Sequence, residues 1–437
     1  MIASAVASAP LPLQSWPRAY QWVLTWSLAV AATLLVPLVF NNNASLTFLS
    51  QMATMIVFCL SYNLLMGQGG MLSFGHALYS GMGAYFTIYA MNWAAAATGW
   101  KMPLVFVPLA GGLAGMVFGV VLGYVATKKA GTAFAMITLG LGELAHAAAQ
   151  MFPRFFGGES GVAASRTYGE PFLGLSFGPQ IQVYYLIAGW TLLSAFLMYA
   201  FTQTPLGRIA NAVRDNAERA EFVGYDTRKV RYIVFIVATF FAGVSGGLAA
   251  INFEIVSAES MSALRSADAL IFTFIGGAGY FLGPVLGAIL GSFLNAKLSD
   301  YTVAWQLYLG ALFVLFVMYA PAGVAGIVAG NWRVLRAGMF RRVLPQWLMV
   351  VGAALVLVVG AVILVELCYA VTLGSDRAAV VKLLAELSQP QAAALWAAGV
   401  ALVVAGLFVL QKARRVFRQA WNAAQGEIND AQAGGAR

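Results

Sequence analysis

Apolar positions along the chain fall into blocks instead of alternating with polar ones. The blocks cover roughly 22–40, 46–66, 76–92, 103–126, 131–152, 181–202, 230–252, 268–296, 304–320, 346–371 and 392–410. Most are close to the ~20 residues that carry a helix across a bilayer. Ten-residue segments of strand-like alternation are lacking, which argues against a β-barrel. Hydrocarbon offers the backbone no hydrogen-bond partner, so the blocks must be helices. The pattern predicts an all-α, polytopic transmembrane helical bundle.

Lysine and arginine placement orients the spans. Basic clusters stand at Lys128 and Lys129, from Arg208 to Arg231, from Arg333 to Arg342 and from Lys412 to Arg418. All four should face the cytoplasm. With the N-terminus inside, seven spans satisfy the first two clusters. Two plain spans at 268–296 and 304–320 would then strand Arg333, Arg336, Arg341 and Arg342 outside. The conflict vanishes if 268–296 enters, turns and leaves on one face. Its middle, Ile275 to Pro284, reads IGGAGYFLGP, and glycine and proline suit a broken or re-entrant helix. Blocks ten and eleven then form a hairpin, with 372–391 outside and the C-terminus inside.

Composition agrees. Of 437 residues 61% are hydrophobic and 9% charged, against about 25% charged in soluble domains. The net charge of +9 sits in short loops, so it reads as topology and not as a nucleic-acid surface. Cys59 and Cys368 lie in apolar blocks, which disfavours a disulfide framework or a metal site. The opening MIASAVASAP lacks a basic start, so a cleaved signal peptide is not expected.

Two stretches carry candidate function. In Met66–Tyr85 six glycines surround Gln68, Ser73 and His76, polar groups that are costly in lipid unless paired or facing a cavity. They line a translocation path, or the small residues Gly75, Ala77, Gly81 and Ala84 form a helix-packing face. Gly276, Gly277 and Gly279 of the predicted break are expected on the same path. The second stretch, Thr204–Tyr232, is strongly polar. Pro205 can start a helix and Gly224 can end it. Between them Ile209, Ala212, Val213, Ala217 and Ala220 recur at helical spacing, beside Arg208, Arg214, Asp215, Glu218 and Arg219. Such a helix docks in a partner's groove or lies on lipid. Its mixed charge fits a protein partner better.

These stretches resemble the M-type permease of the branched-chain amino acid ABC transporters. A GQ-x-SLGHAAFFGIGAY-like segment corresponds to Gly67–Tyr85 and a P-x-GRA-x-x-AIRDNE-x-AA-x-x-x-G loop to Pro205–Gly224. A GG-x-G-x-x-x-GP-x-x-G segment corresponds to Gly276–Gly287, and a closing P-x-G-x-x-G to Pro321, Gly323 and Gly326. The resemblance implies a second permease subunit, two cytoplasmic ATP-binding subunits and a periplasmic substrate-binding protein, in a bacterial inner membrane. It makes the loop around Pro205, Gly207, Arg208, Arg214, Asp215, Asn216, Glu218 and Gly224 the ATPase-coupling element. It also implies a chain that performs no covalent chemistry. A phosphate-binding loop needs Gly-Lys-Ser or Gly-Lys-Thr, and no lysine here follows glycine. ATP and Mg are therefore expected on partner subunits, with no cofactor on this chain.

The domain reading is 1–45 as N-terminal segment and first span, 46–330 as permease core and 331–437 as an extension. The extension holds two further spans and a basic tail suited to anionic lipid headgroups. Glu143 and His146, three apart in one block, share a helix face and form a functional or a structural polar pair. Residues 254–268 are expected to form an external ledge. Branched-chain or related amino acids are the expected substrates; urea, short amides and aromatic acids are alternatives. An ATP-independent transporter or channel and a non-transporting scaffold are the rival classes.

Overall fold

The computed structural model describes residues 18–96, 102–167, 174–302, 304–336, 340–373 and 389–434. The opening of the chain, most of 372–391, Tyr168, Gly169 and the side chains of Arg333, Arg336, Arg341 and Arg342 lie outside the described residues.

The described chain is a helical bundle. In order it runs α1 (Arg18–Val39), α2 (Asn43–Asn63), α3 (His76–Ala95), α4 (Val107–Ala126), α5 (Thr132–Met151), α6 (Pro153–Phe156), α7 (Gln180–Gln203), α8 (Pro205–Asp215), α9 (Ala217–Phe222) and α10 (Thr227–Phe253). There follow α11 (Ala263–Gly276), α12 (Gly283–Tyr301), α13 (Trp305–Tyr319), α14 (Gly323–Arg336), α15 (Phe340–Leu373) and α16 (Gln389–Gly434). A small antiparallel ribbon pairs β1 (Val162–Ala163) with β2 (Ile255–Val256), Val162 opposite Val256.

Among the described residues, seven helices are long and apolar enough to cross a membrane by length and composition. They are Asn43–Gln68, Leu104–Ala126, Thr132–Met151, Gln180–Gln203, Thr227–Phe253, Leu344–Tyr369 and Ala393–Ala423. The predicted span 76–92 forms α3, which stands outside this set although it is 20 residues long. Its glycines and polar residues lower its hydropathy, and most of its residues are buried against neighbours.

Among the described residues, the first compact unit comprises those up to Ser292 together with Leu315–Ala325. Its centre is α3 between α4 and α10. A Cβ placed on Gly83 or Gly115 would meet the backbone of Gly243, and one on Gly246 the carbonyl of Ser80. Lipid tails are as apolar as leucine, so helices here gain from backbone-close packing and interhelical hydrogen bonds. The bonds are present. Ser245 Oγ donates to the Thr54 carbonyl at 2.8 Å and Trp190 Nε1 to the Val105 carbonyl at 2.8 Å.

The predicted break lies where the glycines stand. Gly277, at φ +108, ends α11 in a conformation that side chains resist. Helix α12 then returns along α11: a Cβ on Gly287 would meet the Phe272 carbonyl, and one on Gly291 the Phe272 ring. Neither arm belongs to the set of seven. The expected plain span at 304–320 is corrected. Helix α13 has 15 residues, about 22 Å of rise, short of a bilayer core of ~30 Å. It continues into α14 across a 50° bend, because Pro321 and Gly323 (φ +63) interrupt the helix.

Among the described residues, the second unit comprises those of Phe293–Val314 and those from Gly326 onward. Within it α15 and α16 form the predicted hairpin, with Gly360 against Leu402 and Val403 and Gly406 against Leu357. A buried carboxylate ties α15 to the chain around α13. Glu366 accepts bonds from Thr302 Oγ1 at 2.6 Å and Tyr308 Oη at 3.0 Å. Glu366→Gln keeps an acceptor oxygen for both hydroxyls and should leave thermal unfolding nearly unchanged. Glu366→Leu leaves both unsatisfied, at a cost of about 1–3 kcal/mol each, and should lower the unfolding midpoint of the detergent-solubilised protein. Equal midpoints for the two variants would contradict this.

Candidate functional site

The polar loop after α7 folds into two short helices. Thr204 caps α8, its hydroxyl accepting from Gly207 N at 3.2 Å, and Pro205 follows in the first turn. The single helix predicted from Pro205 to Gly224 is corrected: it breaks at Asn216. That residue is extended, and its side chain accepts from Arg219 N at 2.9 Å to start α9. Asparagine is among the strongest helix N-caps, so it restarts a helix where continuity was expected. Gly224, at φ +94, ends α9. Asp226 then caps α10, accepting from Lys229 N at 3.0 Å. That bond holds its carboxyl below the usual carboxylate range.

Helix α8 turns Gly207, Ala210 and Val213 into the bundle. Arg208, Ala212, Asp215, Asn216, Glu218 and Arg219 face outward. Beyond them stands an apolar tip, with Phe222 85% and Val223 71% exposed. The expected face at Ile209, Ala212 and Val213 is rotated, because Ala212 is exposed while Ala210 is buried. Phe222 and Val223 went unremarked in the sequence; an apolar pair ahead of a helix-ending glycine in a polar loop was the available signal.

Two side chains of α8 reach the Gly-rich stretch. Arg214 Nη1 donates to the Gly67 carbonyl, and Asn211 Nδ2 to Gln68 Oε1 at 2.7 Å. Arg214 also pairs with Asp215 at 2.9 Å, and its stem lies against Gly70, where a Cβ would stand 2.7 Å from Arg214 Cγ. The receiving backbone is a π-helix, Leu64–Gln68, that extends α2. Such turns are rare and recur at functional sites. Gly67 is enclosed on its other sides by Asn63 and by the Ala278 carbonyl, 2.5 Å from a Cβ there. Thus α8, the end of α2 and the turn between α11 and α12 meet at one residue.

Ser73 and His76 lie fully inside this unit. His76 stacks on Phe58 at 5.4 Å and bonds Ser61 Oγ through Nε2 at 2.9 Å. His76 Nδ1, Ser73 Oγ, Tyr62 Oη and Asn63 Oδ1 are buried without a hydrogen-bond partner. Buried polar atoms are rarely left so, and this cluster would hold water or a solute group. Gly75 and Gly81 also do what a packing face requires, touching Thr138 and Met261. Gly276 and Gly277 build the α11–α12 turn, against Gly283 and Ala322, whereas Gly279 has nothing within 4 Å.

Two expectations need correction. Glu143 and His146 do not form a pair. Glu143 is exposed, while His146 Nδ1 donates to the Ala258 carbonyl at 3.0 Å and Nε2 accepts from Gln150 at 3.2 Å. The histidine finds its partners on the neighbouring 258–261 turn and one turn along its own helix, which satisfies both ring nitrogens. The ledge expected at 254–268 is only partly exposed. Val256, Ala258 and Met261 are buried, and from Ala263 the chain is already α11.

Gly67→Ala must displace backbone and Asn63, an overpacking cost of about 1–3 kcal/mol. It should lower the thermal midpoint of the purified protein, while Gly279→Ala, in open space, should not. Equal midpoints would remove Gly67 as the meeting point.

Comparison with known proteins sets this geometry in a family. The family model described as branched-chain amino acid transport system, permease component, matches residues 44–322. The chain is 28% identical over 290 residues to the high-affinity branched-chain amino acid transport system permease protein LivM of Escherichia coli K12. That match covers 62% of this chain and 67% of the relative. The Salmonella typhimurium LT2 protein of the same name is 27% identical over the same shares. The ribose import permease RbsC of Haemophilus influenzae is 26% identical over 135 residues, 29% of this chain and 41% of its own. No solved structure matches. A family match over well more than half of the chain, on a polytopic bundle with glycine-broken helices, settles its place: it belongs to the branched-chain amino acid transport system permease components.

Proposed function

We propose that the chain is one of two permease subunits of an ATP-driven importer for branched-chain or related amino acids, in a bacterial inner membrane with both termini cytoplasmic. Its companions are a second permease, two ATPases that hold ATP and Mg, and an external substrate-binding protein. The observation that carries the reading is the α8–α9 unit: an exposed apolar tip on one side and a hydrogen-bonded grip on α2 on the other.

The tip is the docking element. An exposed phenylalanine is costly in water, and burying it in an ATPase groove returns about 1.5–3 kcal/mol. The grip transmits the movement. Arg214 and Asn211 hold backbone and side chain of the π-helix, so displacement of α8 reaches the end of α2 and, through Gly67, the α11–α12 turn. A π-helix closes its hydrogen bonds one residue further along the chain than an α-helix. It can shift register at modest cost, which suits an element with two arrangements. Alternation between outward- and inward-open states follows from that shift, with Gln68, Ser73, His76, Gly276, Gly277 and Gly279 beside the route.

The test is association with the ATPases. Phe222→Glu with Val223→Glu changes only exposed side chains. It should weaken co-purification with the ATPase subunits by at least about tenfold, the equivalent of 1.4 kcal/mol, and abolish ATP-driven uptake of L-leucine. Unchanged association and uptake would reject the docking assignment.

A further inference from the structure

Helix α11 carries two charges inside the bundle unit that the coupling mechanism does not use. Arg265 and Asp268 stand three residues apart, on one side of the helix. Both are half-buried. The Arg265 guanidinium lies 5.9 Å from the centre of the Phe58 ring, and both charges are within electrostatic reach of the buried Cys59. The same Phe58 ring stacks on His76. The pair therefore sits beside the buried polar cluster of Ser61, Tyr62, Ser73 and His76, toward the start of α11.

The helix is held so that these two positions keep this place. Ser266 accepts from Ala77 N at 3.0 Å and Thr273 Oγ1 donates to the Cys59 carbonyl at 3.3 Å, fixing the rotation of α11 against α3 and α2. Ser262 caps the helix through Arg265 N. Arg265 thus stands at the positive end of the helix dipole, where a cation gains nothing. Among the described residues neither the guanidinium nor the Asp268 carboxylate has a hydrogen bond or an ion pair within 4.0 Å. The two charges, and Glu259 toward Arg265, act on one another only at longer range than a direct ion pair. Charges at such places are costly unless a partner of opposite sign arrives.

We propose that Arg265 and Asp268 are a binding station for the backbone of an α-amino acid, the guanidinium taking the carboxylate and the carboxylate taking the ammonium group. This rests on the importer reading and names the substrate class within it. A lone arginine would suit an aromatic acid, and urea or an amide carries no net charge to satisfy either group. A zwitterion satisfies both. Arg265 supplies the paired donors that match a carboxylate, and the substrate's own charges neutralise the site while it is occupied.

The test uses the assembled permease–ATPase complex in nanodiscs without the external binding protein, so that selectivity is read from the membrane subunits. Radiolabelled L-leucine is the probe. L-leucinamide, which lacks the carboxylate, and 4-methylpentanoate, which lacks the ammonium group, are the competitors. In the unaltered complex each should compete at least about tenfold more weakly than leucine, the effect of one charge-assisted contact. Arg265→Gln and Asp268→Asn should each weaken leucine binding at least about tenfold, and Arg265→Gln should compete equally with leucine and leucinamide. Arg265→Lys and Asp268→Glu keep the charges and should retain most of the binding. Leucine binding by the neutral variants within about twofold of the unaltered complex, or equal loss in the neutral and charge-keeping variants, would overturn the proposal. ATP-driven leucine uptake by the unaltered complex in vesicles is measured alongside. Its absence would count against the importer reading and leaves the binding comparison to decide the station.

Discussion

Two stretches of backbone and one arginine side chain from a third segment converge on Gly67, with no room for a side chain there. The end of α2, the turn between α11 and α12 and the side chain of Arg214 all touch it. A methyl group there would collide with Asn63 and the Ala278 carbonyl. Packed interiors are stiff and do not absorb such insertions gradually. What moves one of the three segments therefore moves the others.

This constraint explains why the surrounding sequence is rich in glycine. Helices that must stay close without help from the hydrophobic effect need small residues at their crossings, and Gly83, Gly115, Gly243 and Gly246 supply them between α3, α4 and α10. The same residue type at Gly277 and Gly323 turns the chain. The rigid centre ends at the π-helix, the one place where α2 departs from regular α-helical geometry just as it meets α8. Stiff packing on one side and an adaptable turn on the other make a lever. In the proposed function the exposed tip is the long arm of that lever, with His76 on α3 and Arg265 and Asp268 on α11.

Much of this was legible in the chain. Block lengths predicted the spans, and the charge conflict over Arg333–Arg342 predicted the break at Gly277, because topology rules act on counts and not on geometry. The Pro205 start and the Gly224 stop were readable, since each is set by a local backbone preference. The restart at Asn216 was not, as a capping asparagine and an ordinary exposed one look alike in sequence. Nor did spacing tell that His146 would turn to Ala258 and not to Glu143, because an (i, i+3) relation permits contact and a neighbouring segment can offer a better partner. The reach of Arg214 to Gly67, across 147 residues, depends on tertiary approach alone. The same holds for the Glu366 bonds that anchor the C-terminal hairpin.

The account stands on α8, Gly67 and the α11–α12 turn moving as one body, with the π-helix as the joint to the rest of α2. The most direct measurement is the distance between spin labels on Ala212, exposed on α8, and on Gly279, in the open turn between α11 and α12. It is taken in the assembled complex, without nucleotide and with ATP bound. The account predicts the same distance in both states, while labels across the two permease subunits report opening and closing. A distance that changes between the states would mean that α8 slides over Gly67, and the lever would not exist.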